Sequence, residues 1–440
     1  MKVIFSTPDW TISGVNTFHH NLARTLQASG HDVELMMARM QKPETAELPL
    51  PTDVPVTVLE FDKRSWFSRW FTVIGYLNAR APCIYIPGYD FDNSCVVSAV
   101  ADQVGVVGVV HSDDPFHYEH LIRMGRFWNA AVAVSAYLHG RIVAEEPLVA
   151  PRSYQINCGV PCAPALPARP GGRRPLRIVY SGRFWEDQKR ISDLPKIARA
   201  LEIRGVPAEW TMIGSGQDEP MLRAGFAALA DPGKVAFTGP IPSDEVLARY
   251  GDHDAFVLTS NFEGLPVSLM EAMGQGVIPL ATEIESGIPE IVADGKNGFI
   301  RPVGDIDGFA DRLALLHDDP ERRMALHQAA HRTIRGSRFS IESVAARYLE
   351  VFDRIFRDLG DGSYRRPKPC RPGSRTGDII PPPHLQYAPD EQRLTPDNVL
   401  RVASRRARAA VDRWRARVAG AAGGMLRSGP ATPAAKGTRE

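Results

Sequence analysis

The chain has 440 residues, of which 23% are charged, and a formal net charge of +1 at neutral pH. That length exceeds what one hydrophobic core organises, so two domains are expected, and a balanced charge removes any global electrostatic argument for a nucleic-acid partner. Five scattered cysteines, an odd number in a chain large enough to fold without staples, suit a reducing cytosol. The apolar opening turns polar at Ser6, too soon for a signal peptide, and no apolar run approaches the ~18 residues that cross a bilayer.

Residues 2–7 read as a strand, and the loop 8–14 ends in Gly14 before a helix carrying Val15, Phe18, Leu22 and Leu26 at helical spacing, stopped by Gly30. Residues 31–37 and 55–60 continue as strands. Strand, glycine-bearing loop and helix are the opening of an α/β domain with a parallel sheet. Gly14 permits close approach of backbone to a ligand, or simply starts a helix. Residues 62–80 place Trp66, Phe67, Trp70, Phe71, Ile74 and Leu77 on one helical stripe edged by Lys63, Arg64, Arg69 and Arg80. Such a stripe suits a membrane surface, but core with arginines snorkelling at its edge is the reading we favour. Asp90-Phe91-Asp92 has the look of a metal-binding Asp-x-Asp; a loop and helix cap is the plainer expectation.

Strand-like residues 104–110 deliver His111 at a C-terminal strand end, where open α/β sheets bind ligands. Residues 130–134, a helix to 144, and 154–158 complete the first half. Cys158-x3-Cys162 stands among prolines with no second Cys/His pair, and is read as structural. Residues 161–175, dense in proline and containing Gly171 and Gly172, form a linker.

A second βαβ series starts at 176–181 and runs into Gly182-Arg183-Phe184-Trp185-Glu186-Asp187-Gln188-Lys189-Arg190. Two cations six residues apart around a loop at a strand end can close on a diphosphate from two sides; the plain alternative is solvated loop charge. Gly214-Ser215-Gly216 mimics a dinucleotide fingerprint but has Glu219 where the third glycine belongs. Residues 235–238 and Gly239-Pro240-Ile241-Pro242 follow. Then Asp254-Ala255-Phe256-Val257-Leu258-Thr259 reads as a buried strand, Glu263-Gly264-Leu265-Pro266 as a tight loop, and 267–273 as a helix ending at Gly274. A helix N-terminus aimed beyond a sheet is an anion site. Glu263 sits at its mouth, and Glu271 lies roughly 7 Å further along at ~1.5 Å per residue. Alone, the two would be a solvated loop glutamate and a helix-face glutamate.

Their context decides otherwise. Glu263, Gly264, Pro266, Glu271, Ala272, Met273 and Gly276, followed by Ile288-Pro289-Glu290-Ile291-Val292, resemble the Glu-x7-Glu signature of family 4 retaining glycosyltransferases with the GT-B fold, and the resemblance covers most of residues 1–357. It implies two Rossmann-like domains facing across a cleft: an acceptor domain over 1–165, a nucleotide-sugar domain over 166–336, and a helix over 337–358 crossing back to the first. It further implies that Arg183 and Lys189 bind the diphosphate, with Gly14 facing it from across the cleft. His111 lies against the donor sugar, which Glu263, Gly264, Leu265 and Val267 line. Ile241 lies near the base, and Glu271 on the ribose. By the same resemblance Glu263, Arg183, Lys189 and His111 are expected to carry the chemistry, with neither metal nor cofactor. The implied partners are a nucleotide-sugar donor and a glycan, lipid-linked or small-molecule acceptor, in the cytoplasm, with peripheral membrane contact left open and no nucleic acid. Two rivals stand beside this: an epimerase or phosphorylase on the same fold, and a silent sugar-nucleotide-binding subunit. From Asp361 glycine, proline and arginine dominate, and 361–440 is read as a tail, with a basic helix over 398–418.

Overall fold

The computed structural model describes residues 1–11, 13–39, 48–60, 66–88, 91–112, 118, 121 and 124–367. The first sheet is built from β1 (Lys2–Thr7), β2 (Asp32–Arg39), β3 (Val56–Glu60), β4 (Cys83–Ile86), β5 (Val104–Val110), β6 (Ala130–Ala133) and β7 (Ser153–Gln155), in the order β3-β2-β1-β4-β5-β6-β7. The second comprises β8 (Leu176–Ser181), β9 (Ala208–Ile213), β10 (Val235–Gly239), β11 (Ala255–Leu258), β12 (Ile278–Thr282) and β13 (Phe299–Arg301), in the order β10-β9-β8-β11-β12-β13. All their pairings are parallel. In both sheets the order reverses beside the first strand, so each presents a topological switch point, and the crevice outside the strands' C-terminal ends is where ligands settle.

Thirteen α-helices are described. In the first half they are α1 (Gly14–Ala28), α2 (Trp66–Asn78), α3 (Phe91–Cys95) and α4 (Ala136–Glu145). The second sheet carries α5 (Glu186–Lys189), α6 (Asp193–Ile203), α7 (Glu219–Ala227), α8 (Ser243–Tyr250), α9 (Val267–Gly274), α10 (Ile288–Ile291), α11 (Ile306–Asp318) and α12 (Pro320–Ile334). Last comes α13 (Ile341–Gly360). Central strands read as unbroken apolar runs because helices cover both faces: every residue of β5 and β11 is buried.

The crossing helix is α13. Ser340 caps it by accepting from Ser343 N–H, and Val344, Tyr348, Val351, Phe352 and Ile355 repeat on one buried face. That face lies on the first sheet. A Cβ at Gly105 in β5 would stand 2.6 Å from Ile355 Cγ2, so the helix seats only where the strand has no side chain, and Tyr348 meets Phe18 of α1 with ring centroids 6.1 Å apart.

Composition misleads at three places. The proline-dense linker is strapped down rather than free: Arg174 holds Asp254 through both guanidinium nitrogens at 2.8 and 2.7 Å, Arg169 donates to Gln275 O at 2.6 Å and to His253 O, and Arg323 donates to Gly172 O at 2.7 Å. Burial alone would raise the Asp254 pKa, but hydrogen bonds from His327, Arg174 and the Arg177 N–H hold it well below the carboxylate range. The aromatic stripe of α2 is not uniformly core: Val73 and Leu77 are buried, but Phe71 is 69% exposed and Trp70 and Ile74 are half-buried. The side chains of Trp66 and Phe67, like Lys63 and Arg64, lie outside the described residues. Nor does ordered packing stop at Asp361. Tyr364 OH donates to Phe127 O at 3.3 Å, and Arg366 is buried, donating to Phe127 O at 2.6 Å, Val97 O at 3.3 Å and Val104 O. The first domain therefore extends through at least Arg366, which supplies buried donors to these carbonyls. Of the Asp90-Phe91-Asp92 motif, Asp90 lies outside the described residues and Phe91 and Asp92 open α3, and the basic helix over 398–418 lies outside them altogether.

Candidate active site

Two loops of the second sheet make the charged wall. Tyr180, at the end of β8, donates its hydroxyl to Arg183 O at 2.7 Å and so shapes the loop that carries Arg183. Its own pKa is pushed up by burial, so the phenol remains a donor. The short helix α5 then ends on Arg190 in the left-handed conformation, φ 44°, the one non-glycine positive φ among the described residues. Such a turn costs of order 1 kcal/mol and persists only where neighbours fix it. Here Thr259 Oγ1 donates to both Lys189 O (2.8 Å) and Arg190 O (3.1 Å), and Arg190 Nε donates to Asp193 at 2.8 Å. The strained corner sets the direction of Lys189.

The second loop, after β11, is sewn to the first. Asn261 N–H donates to Gln188 O and its amide to Asp187 O, both at 2.8 Å. Gln188 in turn accepts from Arg183 Nη2 at 2.9 Å and donates to Phe262 O at 3.4 Å. Glu263 Oε1 accepts from Lys189 Nζ at 2.5 Å and from Ser260 Oγ at 2.6 Å, with both ion-pair partners largely buried. Pro266 precedes α9, and no side chain caps that helix, which leaves its first-turn amides for an anion.

The first domain closes over this wall. A Cβ on Gly264 would collide with the carbonyl oxygen of His111, so the Glu263 loop meets the end of β5 backbone to backbone. Gly14 faces Val267 Cγ2 at 3.6 Å, measured from where its Cβ would be. His111 lies edge-on to Phe18 and His19, with centroids 5.5 and 5.9 Å apart, and its Nδ1 is 3.9 Å from Cys158 Sγ. Arg24 of α1 reaches Asp244 of α8 at 3.1 Å, beside the turn that carries Ile241.

Thus Gly14, His111, Arg183, Lys189, Glu263, Gly264, Leu265 and Val267 come together. Glu271 is buried between α9 and α1, with Asn21 beside it and Oε1 lacking a hydrogen-bond partner. Burial raises its pKa to about 8, partly offset by Asn21 and reinforced by Asp244. The sequence also treats Lys189 and Glu263 as separate, whereas the structure pairs them. Gln188, Ser260, Thr259 and Asn21 escape sequence reasoning, for each is an ordinary polar residue until folding brings its partner near. Among the described residues no group of three or more His, Cys, Asp or Glu gathers as a metal site. No described helix is long and apolar enough to cross a membrane.

Two parallel Rossmann-like sheets joined by a returning helix define the GT-B fold. Comparison with solved structures agrees. TarM of S. aureus, in complex with Fondaparinux, alpha-GlcNAc-glycerol and UDP, superposes with a TM-score of 0.65 at 12% identity over 80% of this chain and 99% of that one. Anabaena Alr3699/HepE in complex with UDP-glucose gives 0.63 at 14% identity over 80% and 100%. More particularly, residues 171–333, the charged wall included, match the family Glycosyl transferases group 1. The chain is also similar to a Salmonella typhimurium protein named as a colanic acid biosynthesis glycosyltransferase, WcaL, 36% identical over 146 residues. That match spans 32% of this chain and 36% of the relative, so the chain covers about a third of the length of the curated relatives it matches.

Proposed function

We propose that this protein is a retaining glycosyltransferase of family 4 type, moving a sugar from a nucleotide-sugar donor to a glycan, lipid-linked or small-molecule acceptor. One observation carries the reading: Lys189 and Glu263, 2.5 Å apart, stand with Arg183 at the uncapped start of α9, directly opposite His111 and Gly14. An anion with a polyhydroxylated neighbour suits that arrangement. Arg183 and Lys189 meet the two phosphates, and α9 adds its N–H groups and the positive end of its dipole. Glu263 accepts from sugar hydroxyls, and Ser260 keeps its carboxylate in place. As the bond between the anomeric carbon and the diphosphate oxygen breaks, negative charge grows on the leaving group. Preorganised cations there stabilise the transition state more than the ground state, which makes a metal unnecessary for that task in this proposal. Closure of the first domain excludes water and presents the acceptor. The WcaL relative, like the UDP and UDP-glucose complexes of the neighbours, supports this substrate class.

The test is a panel of UDP- and GDP-sugars with the purified protein. We expect one donor to raise the melting temperature and to be consumed when an acceptor is present, with the anomeric configuration retained by NMR and no loss of rate in EDTA. Donor stabilisation without any turnover would instead establish the silent subunit, epimerised donor an epimerase, and an inverted product would overturn the mechanism.

A further inference from the structure

Besides the Gly264–His111 contact, a second seam joins the two domains, and one side chain organises it. Gly287 N–H donates to Gly264 O at 2.7 Å, and a Cβ on Gly287 would stand 3.0 Å from Ser135 Cβ of the first domain. The segment ahead of α10 is therefore wedged between the Glu263 loop and the start of α4. Three residues on, Glu290 reaches out of α10. Its Oε1 accepts from Ala136 N–H, in the first turn of α4, at 2.5 Å. Its Oε2 accepts from Gln155 Nε2 at 3.0 Å, Asn157 Nδ2 at 3.2 Å and Arg338 Nη2 at 3.1 Å. The Glu290 side chain is 13% exposed. These four donors come from the first domain's last strand region, the start of its last helix, and the connector that leads into α13. Asn157 is itself braced, donating to Val134 O at 2.9 Å.

We infer that Glu290 is a positioning residue for the transfer reaction, a clamp that fixes the Glu263 loop in register with His111 without touching the donor. The inference rests on the glycosyltransferase reading for its catalytic consequence, but not for the clamp itself. A carboxylate at a helix N-terminus that also takes an arginine is a charge-assisted contact that only an acidic group of this length completes. Because Gly287 and Glu290 lie three residues apart on one short turn, any slip at Glu290 moves Gly287 and hence the carbonyl of Gly264. Misplacing reacting groups by about 1 Å costs on the order of 100-fold in rate.

Glu290→Gln keeps the shape but leaves one oxygen to serve four donors. Expected are a kcat lowered on the order of 10-fold or more, little change in donor KM, donor hydrolysis rising relative to transfer as water enters the looser cleft, and faster amide exchange at Ala136. Arg338→Met, which retains three donors, should move the same readouts less and in the same direction. Unchanged exchange at Ala136 in Glu290→Gln overturns the clamp whatever the reaction proves to be. Faster exchange with kcat and the hydrolysis ratio unmoved overturns the positioning role. If the wild-type protein turns over no nucleotide sugar, the proposed function fails. The clamp is then judged by exchange alone, with Ala136 expected to exchange faster in Glu290→Gln than in the wild type without added ligand.

Discussion

The two walls of the cleft are built on different principles. On the second-domain side, charge is abundant and bonded: Arg183 to Gln188, Lys189 to Glu263, Glu263 to Ser260, and both loops cross-linked through Asn261 and Thr259. The first-domain side is aromatic and nearly neutral. His19 is buried between Phe5, Phe18 and His111 with neither ring nitrogen hydrogen-bonded, and burial lowers its pKa to about 3. One wall is preorganised for a highly charged ligand, whose desolvation only fixed dipoles and cations can offset. The other offers shape and a few buried polar atoms.

The sharpest way to break this contrast is to disarm the charged wall. Lys189→Ala should lower kcat more than it raises donor KM, by roughly 10- to 100-fold for one charge-assisted contact of about 1.5–3 kcal/mol. Glu263→Ala should cost at least as much. Since the two share an ion pair, each single variant also leaves its partner buried without its counter-charge, so the double variant should be less damaged than the product of the singles. Steady-state kinetics of the three variants decide it, and full activity in either single variant would remove the site assignment. Gly264→Ala tests the seam between the walls: its methyl group cannot coexist with the His111 carbonyl. Transfer should fall on the order of 100-fold while donor binding to the second domain, read by calorimetry, persists.

The same asymmetry explains what the sequence reveals. Alternation of buried strand and amphipathic helix made both sheets legible, and the charged wall is local: Arg183 and Lys189 share one loop, Glu263 and Glu271 one loop and helix. Spacing along the chain is then spacing in space. The opposing wall joins Gly14, His19 and Asn21 of α1 to His111 at the end of β5; Gly14 and His111 are marked in the sequence, but a histidine inside α1 and an asparagine two residues on carry no signal until the fold sets His111 beside the one and Glu271 beside the other. Pairing of Lys189 with Glu263 spans 74 residues and was equally hidden. Proline content marks 161–175 as a linker, but the three arginines that tie it to the second domain are contacts that composition does not encode.

A smaller effect sharpens the limit of the first domain. Ending the chain after Gly360 strips Tyr364 and Arg366 from the carbonyls of Phe127, Val97 and Val104, and losing buried acceptor partners of this kind costs roughly 2–4 kcal/mol. Ending it after Lys368 keeps those contacts. The shorter chain should melt lower by roughly 5 °C or more, with the longer one like the full protein and donor affinity equal in all three. Thermal unfolding followed by circular dichroism separates them, and equal melting of both truncations would make Arg366 dispensable.

The smallest expected effect lies where the two walls touch. In the folded protein burial holds Glu271 protonated up to about pH 8, against an ordinary value of 4.5. Between those values the unfolded chain has released this proton and the folded chain has not, so folding takes up a proton. Stability from this group is therefore full below pH 4.5 and declines as pH rises toward 8. Glu271→Gln removes the titration, and the variant should show a flatter pH dependence and be more stable at pH 8 by roughly 2–4 kcal/mol. Donor binding should run the other way. Ribose hydroxyls donate to an ionised carboxylate better than to a protonated one, so wild-type donor affinity should rise between pH 6 and 8, while Glu271→Gln binds more weakly at every pH, with the loss in KM rather than kcat. Urea unfolding and donor titration at pH 5.5, 7 and 8 measure both slopes. Parallel slopes in the two proteins would mean that Glu271 ionises freely in the fold, and that the burial beside α1 does not hold its proton.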